Sequence, residues 1–476
     1  MSSAKTIAKN TAFLFSTSVL DKIVSFFIVI VITRFLGDVG FGKYSFAFAF
    51  IAMFTIFPNF GVSTYILREI SKDKSKTKEL IGNAVALRLL IALIVFSIAI
   101  VIAKFWPKTN EIFLGIILVA IYSFFGMFTS LTKILFTAYE KNEFTLYSIT
   151  LEKIITLILS YYVLTKGYGL NVLLLVFVFS NFINSVYNYI ITYRHFVKVS
   201  FSIDLKLWKS IIKNSIPFWF TLLFQRIYYK TDTIMLTAMK NYAVTGWYNA
   251  ASTLTAALTF IPDIIIFATF PAMSRFHHTN SNENLRLLYH KSAYYVLSIG
   301  IPLSIGISLL AQRLILFIYK EQFIKSGIIL QVLSWSLIFV FVNGIMGYLL
   351  NSINKQHLFT ISSGICAGGN VILNLILIPQ FSYMGAAFAT VITQFINFCS
   401  LYYFTKKNGH PLNLIKVSYR PIIAGSAMGI LIYYISFLHI LYIVPIAVIA
   451  YFAVLLIMGG LGKEEINLIK SFFPKR

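Results

Sequence analysis

Charged side chains fall inside stretches otherwise built of Leu, Ile, Val, Phe and Ala, among them Asp21, Lys22, Arg88, Glu152, Lys153, Arg226, Lys230, Asp232 and Asp263. A charge at the centre of a bilayer costs about 2.5–3.5 kcal/mol on insertion scales, so each calls for a partner, water or a ligand. Arg226 and Lys230 stand at i and i+4, one helical turn apart, and project the same way. Two stacked cations repel each other unless water or an anion lies between them. Together with Lys22, and with Arg88 extending the wall, they outline a cationic, hydrated cavity. Such a cavity suits phosphate or pyrophosphate, which Arg binds bidentately and Lys as a point charge. Blander roles are also open. Glu152 and Lys153 can sit near the interface or pair locally, and Asp21 and Lys22 can form a local pair.

A second set of residues suits cation coupling. Asp263 follows Pro262, and Asn59 follows Pro58. A proline inside a membrane helix frees a carbonyl, which offers flexibility or a cation ligand. Asp21, Asp232, Asp263 and Asn59 are therefore candidates for coupling to H+ or Na+, with a structural hydrogen bond the simpler role for Asp263. Tyr228, Tyr229, Trp247 and Tyr248 lie close to the cations in sequence. Aromatic faces with polar tips suit sugar rings, which makes Tyr248 a substrate candidate, although packing explains any single aromatic here. The run GDVGFG at 37–42 follows no strand, so a nucleotide loop is not expected there. His277-His278 lacks a third ligand, and Cys366 and Cys399 form neither a CxxC nor a Cys/His spacing. No resident metal or cofactor is expected.

These residues must be held by membrane helices. Of the 476 residues 58% are hydrophobic, 17% aromatic and only 12% charged, with mean hydropathy +0.81. Soluble domains carry roughly 25% charged residues; half that number cannot coat a water-facing surface of this size. A soluble enzyme, a disordered chain and a fibrous repeat are excluded. Fourteen apolar runs are each long enough to cross the ~30 Å hydrocarbon core. They fall near 10–33, 43–67, 80–103, 111–138, 144–165, 170–193, 213–238, 245–272, 289–311, 327–353, 358–378, 384–405, 420–437 and 440–460. The expected fold is an all-α polytopic membrane protein. No loop has room for a folded external domain, and the segment 312–326 is expected to form an amphipathic shoulder on the ninth span.

The net charge of +24 would suggest nucleic acid in a soluble chain, but cytoplasmic membrane loops collect Lys and Arg anyway. With the N-terminus inside, the cytoplasmic loops and ends hold 26 Lys and Arg, the opposite loops 9 and the spans 5. The expectation is a multi-pass protein of the cytoplasmic membrane with both termini inside, its partner the bilayer and not nucleic acid. The start lacks an A-x-A cleavage site and is interrupted by Asp21-Lys22, so it reads as a retained first helix.

A shift of 204 residues places Lys9-Asn10 on Lys213-Asn214, Lys22 on Arg226, Gly42 on Gly246, Tyr44 on Tyr248 and Pro58 on Pro262. An even number of spans separates the copies, so they share an orientation, the parallel-repeat arrangement in which substrate binds between lobes near the midplane. The repeat sets expected domains at 1–200 (helices 1–6), 201–410 (helices 7–12) and 411–476 (helices 13–14 and a cytoplasmic tail).

The stretch RFLGDVGFGKYSFAFAF at 34–50 and LREISKD at 67–73 resemble the first two helices of Wzx-type oligosaccharide flippases. DTIMLTAMKNYAVTGWYNAA at 232–251 and FIPDIIIFATFPAMSRF at 260–276 are similar to the family's seventh and eighth helices, and NSINKQHLFTISS at 351–363 and LNLILIPQFSYMGAAFAT at 373–390 continue the likeness. The resemblance implies the fold of the multidrug/oligosaccharidyl-lipid/polysaccharide exporters, two pseudo-symmetric six-helix lobes in a V around a central cavity plus two C-terminal helices. It also implies export of a lipid-linked oligosaccharide from the inner to the outer leaflet by alternating access, without enzymatic chemistry. The chain is expected to act as a monomer. A drug antiporter of the same superfamily would favour an acidic cavity for its cationic substrates. A membrane glycosyltransferase or polymerase would need external acids and a long external loop, and no Asp-x-Asp pair occurs in the chain.

Overall fold

A computed structural model describes residues 2–106, 109–199 and 201–460. The expected tail beyond 460 lies outside the described residues. Among those described there are helices and no strands. The first half holds α1 (Ser2–Phe54), α2 (Ile56–Asn59), α3 (Val62–Lys72), α4 (Thr77–Lys104), α5 (Asn110–Ala138), α6 (Glu143–Thr165), α7 (Gly169–His195) and α8 (Leu205–Met239). The second holds α9 (Tyr242–Leu258), α10 (Phe260–His278), α11 (Asn282–Tyr319), α12 (Lys325–Leu333), α13 (Ser336–Ser352), α14 (Gln356–Phe381), α15 (Tyr383–Lys407), α16 (Leu414–Tyr434) and α17 (Ile440–Ile457).

Eleven helical segments among the described residues are long and apolar enough to cross a membrane. The other expected spans lie in α1, which carries the first and enters the second, and in α8. Fifty-three continuous residues would make α1 about 80 Å long, over twice the hydrocarbon thickness. It is broken at Gly37, whose φ of 67° and ψ of −172° only glycine adopts readily. The loop expected at 34–42 is thus a corner between two helices.

The repeat seen in the sequence has a structural counterpart. In the first copy the helix is interrupted at Thr55 and resumes at Ile56; in the second it is interrupted at Thr259 and resumes at Phe260. The two breaks are 204 residues apart. In each, the threonine hydroxyl donates to an alanine carbonyl three residues back, Ala52 at 2.9 Å and Ala256 at 2.8 Å. A proline follows three residues on, at Pro58 and Pro262, where its missing N–H falls in the first turn of the resumed helix. Only the first copy has a further break, at Phe60 (φ 33°) and Gly61 (φ 70°). Beyond it α3 is amphipathic, burying Val62, Tyr65, Ile66 and Ile70 on one stripe.

The chain forms two compact units, the first made of residues up to Ala250 with Ala367–Ala386, the second of Ala251–Cys366 and the chain beyond Ala387. In the first, Phe46, Phe50, Phe96, Ile116 and Leu174 join α1 to α4, α5 and α7. Ile66, Ile70, Leu80, Leu135 and Ile211 tie α3, α4, α5 and α8 together. The second unit packs around Tyr289, Phe341, Met346 and Leu349 of α11 and α13. Leu310, Met428 and Tyr451 lock α16 and α17 onto α11.

Candidate functional site

Asp232, a carboxylate on α8 within an expected span, is 5% exposed. The Tyr248 hydroxyl donates to its Oδ2, and Asn374 Nδ2 donates to its Oδ1 at 2.5 Å. Asn374 Nδ2 also reaches Asn370 Oδ1 at 3.1 Å. Asn374 Oδ1 and Asn370 Nδ2 are buried without a hydrogen-bond partner. Thr233 donates to Asn249 Oδ1 at 3.0 Å, and the Thr237 and Thr245 hydroxyls are hydrogen-bonded at 2.9 Å, so polar side chains continue along the α8–α9 contact. The sequence offered Asp232 as a cation group and Tyr248 as a sugar contact. The structure joins them: Tyr248 is 3% exposed and its hydroxyl is committed to the carboxylate, so it does not face an open cavity. Asn370 and Asn374 complete the cluster, and their only mark in the sequence is two asparagines four residues apart in an apolar helix.

Arg226 is exposed and Lys230 half-buried on α8, and among the described residues neither forms an ion pair. Lys22 is half-buried on α1, which packs on α8.

Several intramembrane charges find partners that local pairing did not anticipate. Lys153 binds Asp21 at 3.0 Å and donates to Ser25 at 2.8 Å, joining α6 to α1. Its neighbour Glu152 turns away into a buried network, accepting from Asn184 Nδ2 at 2.6 Å. Asn184 Oδ1 in turn accepts from Ser148 and Asn188 at 2.6 and 2.7 Å. Glu152 and Lys153 do not pair with each other, because successive helical residues point about 100° apart. Arg88 is 1% exposed and does not extend a cavity wall. Its guanidinium donates to Ser63 at 2.6 Å, Ser130 at 2.8 Å and the Met127 carbonyl at 3.4 Å, with Nε left unbonded, and so ties α3, α4 and α5 together. Asn59 is half-buried at the end of α2, beside the left-handed Phe60, and Asp263 is half-buried in the first turn of α10. The His277 and His278 rings lie 6.0 Å apart, and among the described residues no three His, Cys, Asp or Glu side chains converge.

The two glycines of the repeat touch each other. A Cβ on Gly42 would collide with the Tyr242 carbonyl, and one on Gly246 with the Asp38 carbonyl. Residues 38 and 242 are themselves 204 apart, so the contact is reciprocal: each copy's glycine meets the same backbone position of the other. Trp247 Nε1 donates to Asp38 Oδ2 at 2.8 Å beside it. The sequence marked these glycines as repeat positions and gave no hint that they meet.

The family described as polysaccharide biosynthesis protein matches residues 7–277. A capsular polysaccharide biosynthesis protein, CapF, of Staphylococcus aureus is 22% identical over 410 residues, 84% of this chain and all of that protein. The probable low-salt glycan biosynthesis flippase Agl15 of Haloferax volcanii is 26% identical over 152 residues, 32% of each chain. Among solved structures, the lipid II flippase MurJ in an inward closed conformation superposes with a TM-score of 0.79 at 16% identity, covering 94% of this chain and 98% of MurJ.

Proposed function

The chain belongs to the polysaccharide biosynthesis protein family, and on that premise we propose that it flips a polyprenyl-(pyro)phosphate-linked oligosaccharide from the cytoplasmic to the outer leaflet. The observation that carries this reading is the Arg226–Lys230 pair, two cations one turn apart on a membrane helix with no ion-pair partner among the described residues. A headgroup phosphate supplies the missing charge, and Lys22 on the adjoining α1 adds a third cation. A sugar headgroup crossing bare hydrocarbon would lose hydrogen bonds at a cost of kcal/mol each, and a hydrated path removes that barrier while the polyprenyl tail stays in lipid. The lobes rock about the bound headgroup to alternate access.

The membrane potential, negative inside, favours outward movement of an anion by about 2.3 kcal/mol per charge per 100 mV. It opposes return of the emptied cationic site by the same field, which is a physical motive for coupling to H+ or Na+. Asp232 is the residue we assign to that role. Its carboxylate, with the unbonded Oδ1 of Asn374 beside it, presents oxygens to a small cation or holds a proton. Asp21 is neutralised by Lys153 and is the weaker candidate.

The direct test is to deplete the protein in its host and locate lipid-linked oligosaccharides by leaflet and length. Full-length glycolipid should accumulate on the cytoplasmic leaflet. Truncated glycolipid would point to an enzyme instead, and an unchanged pool to a small-molecule exporter.

A further inference from the structure

A hollow of about 610 Å³ lies in the second unit, between the start of α11 and the start of α16. Arg286, His290, Lys291 and Tyr294 line it from α11, and Lys416 and Arg420 from α16. Positions 286, 290 and 294 repeat every fourth residue, as do 416 and 420, so each helix turns one stripe to the hollow. Four Lys and Arg face one acid, Glu283, and among the described residues none of the four is ion-paired.

The walls are fixed by backbone contacts. Arg420 donates to the Gly459 carbonyl and Tyr294 to the Gly460 carbonyl, both at 2.6 Å, which straps the end of α17 to the site. His290 accepts from the Asn413 N–H at Nε2 (3.5 Å), which leaves Nδ1–H to donate to the Arg286 carbonyl at 2.8 Å. The ring thereby bridges α11 to the chain entering α16 and stiffens the wall. What remains is a standing concentration of positive charge that only an anion relieves.

Its position says which anion. The charges stop where the apolar runs of both helices begin, which places the hollow at headgroup depth. On the same turns Leu287, Ile415, Ile422 and Ile423 are 48–80% exposed, an apolar flank for acyl chains. Basic pockets between membrane helices on the cytoplasmic side hold anionic lipid headgroups. We propose that this hollow binds the phosphate of an anionic phospholipid, drawn from the cytoplasmic leaflet under the orientation expected from the basic loops.

The full-length protein in detergent, mixed with phosphatidylglycerol or phosphatidylcholine and read by native mass spectrometry, tests this. The wild type should retain phosphatidylglycerol and not phosphatidylcholine. Arg286→Gln with Lys416→Gln should weaken retention about tenfold or more, and the charge-preserving pair Arg286→Lys with Lys416→Arg should restore it. Both side chains are exposed, so a melting temperature near wild type confirms that the variants fold. Equal retention by the wild type and the double Gln variant overturns the proposal. Retention of inorganic phosphate as tightly as phosphatidylglycerol at equal concentration overturns it in favour of a soluble phosphate, and stronger retention of polyprenyl phosphate overturns it in favour of the substrate. Retention is read without transport, so failure of the flippase reading leaves this result standing.

Discussion

At the residue scale, cations and a buried acid are given separate work, and each assignment has its own test. Arg226→Ala combined with Lys22→Ala should reduce flipping tenfold or more, measured as glycolipid reaching the outer leaflet, while expression and melting temperature persist. Normal transport by that variant would rule out the cationic site. Asp232→Asn keeps the size of the side chain but removes its charge. Flipping by that variant should lose its dependence on the coupling cation, read as the response of the rate to imposed proton or sodium gradients. A third test concerns His410, between α15 and α16. Burial, then the charges of His277 and Arg286, hold its pKa below the ordinary histidine value. The unfolded chain therefore takes up the proton first as pH falls. The stability from the neutral imidazole is full above about pH 6.5 and is lost as pH drops through the lower folded value. His410→Asn should flatten that acid-side loss in a melting-temperature profile.

At the element scale, the helices were legible because apolar runs of membrane length are hard to mistake, and the prolines at 58 and 262 flagged the paired breaks. The break at Gly37 was not legible as a corner. Its left-handed φ leaves no mark beyond the glycine itself, and GDVGFG reads equally as a loop. The Asp232–Asn374 bond was beyond reach for another reason: its partners are 142 residues apart, and an asparagine in an apolar helix does not name what it bonds. Arg88 misled because burial against serine hydroxyls and a carbonyl cannot be told by sequence from exposure to a hydrated cavity. The reciprocal glycine contact carries its own prediction. Gly42→Val should push Tyr242 off α1, and Gly246→Val should push Asp38 off α9. Because the contact is symmetric, both should lower the melting temperature by similar amounts, several degrees each, on the scale of overpacking penalties of about 1–3 kcal/mol.

For the whole molecule, membrane insertion follows from composition and the fold from the pattern of spans; the direction of insertion follows only from where Lys and Arg collect. With an even number of spans both ends face the same side. A tag inserted after Asn408, in the short turn between α15 and α16, should resist protease added outside intact cells and be cut after lysis, together with a tag at the N-terminus. Opposite exposure of the two tags would mean an odd number of crossings.

The glycine crossing also constrains how the chain can evolve. Most packed contacts drift by compensation, one side chain shrinking as its neighbour grows. Here both partners already hold the smallest residue there is, and what they meet is main chain, which no substitution trims. A change at either position has no remedy at the other. The two copies differ at neighbouring repeat positions such as Asn59 and Asp263, while at this contact both carry glycine and each meets the same backbone position of the other.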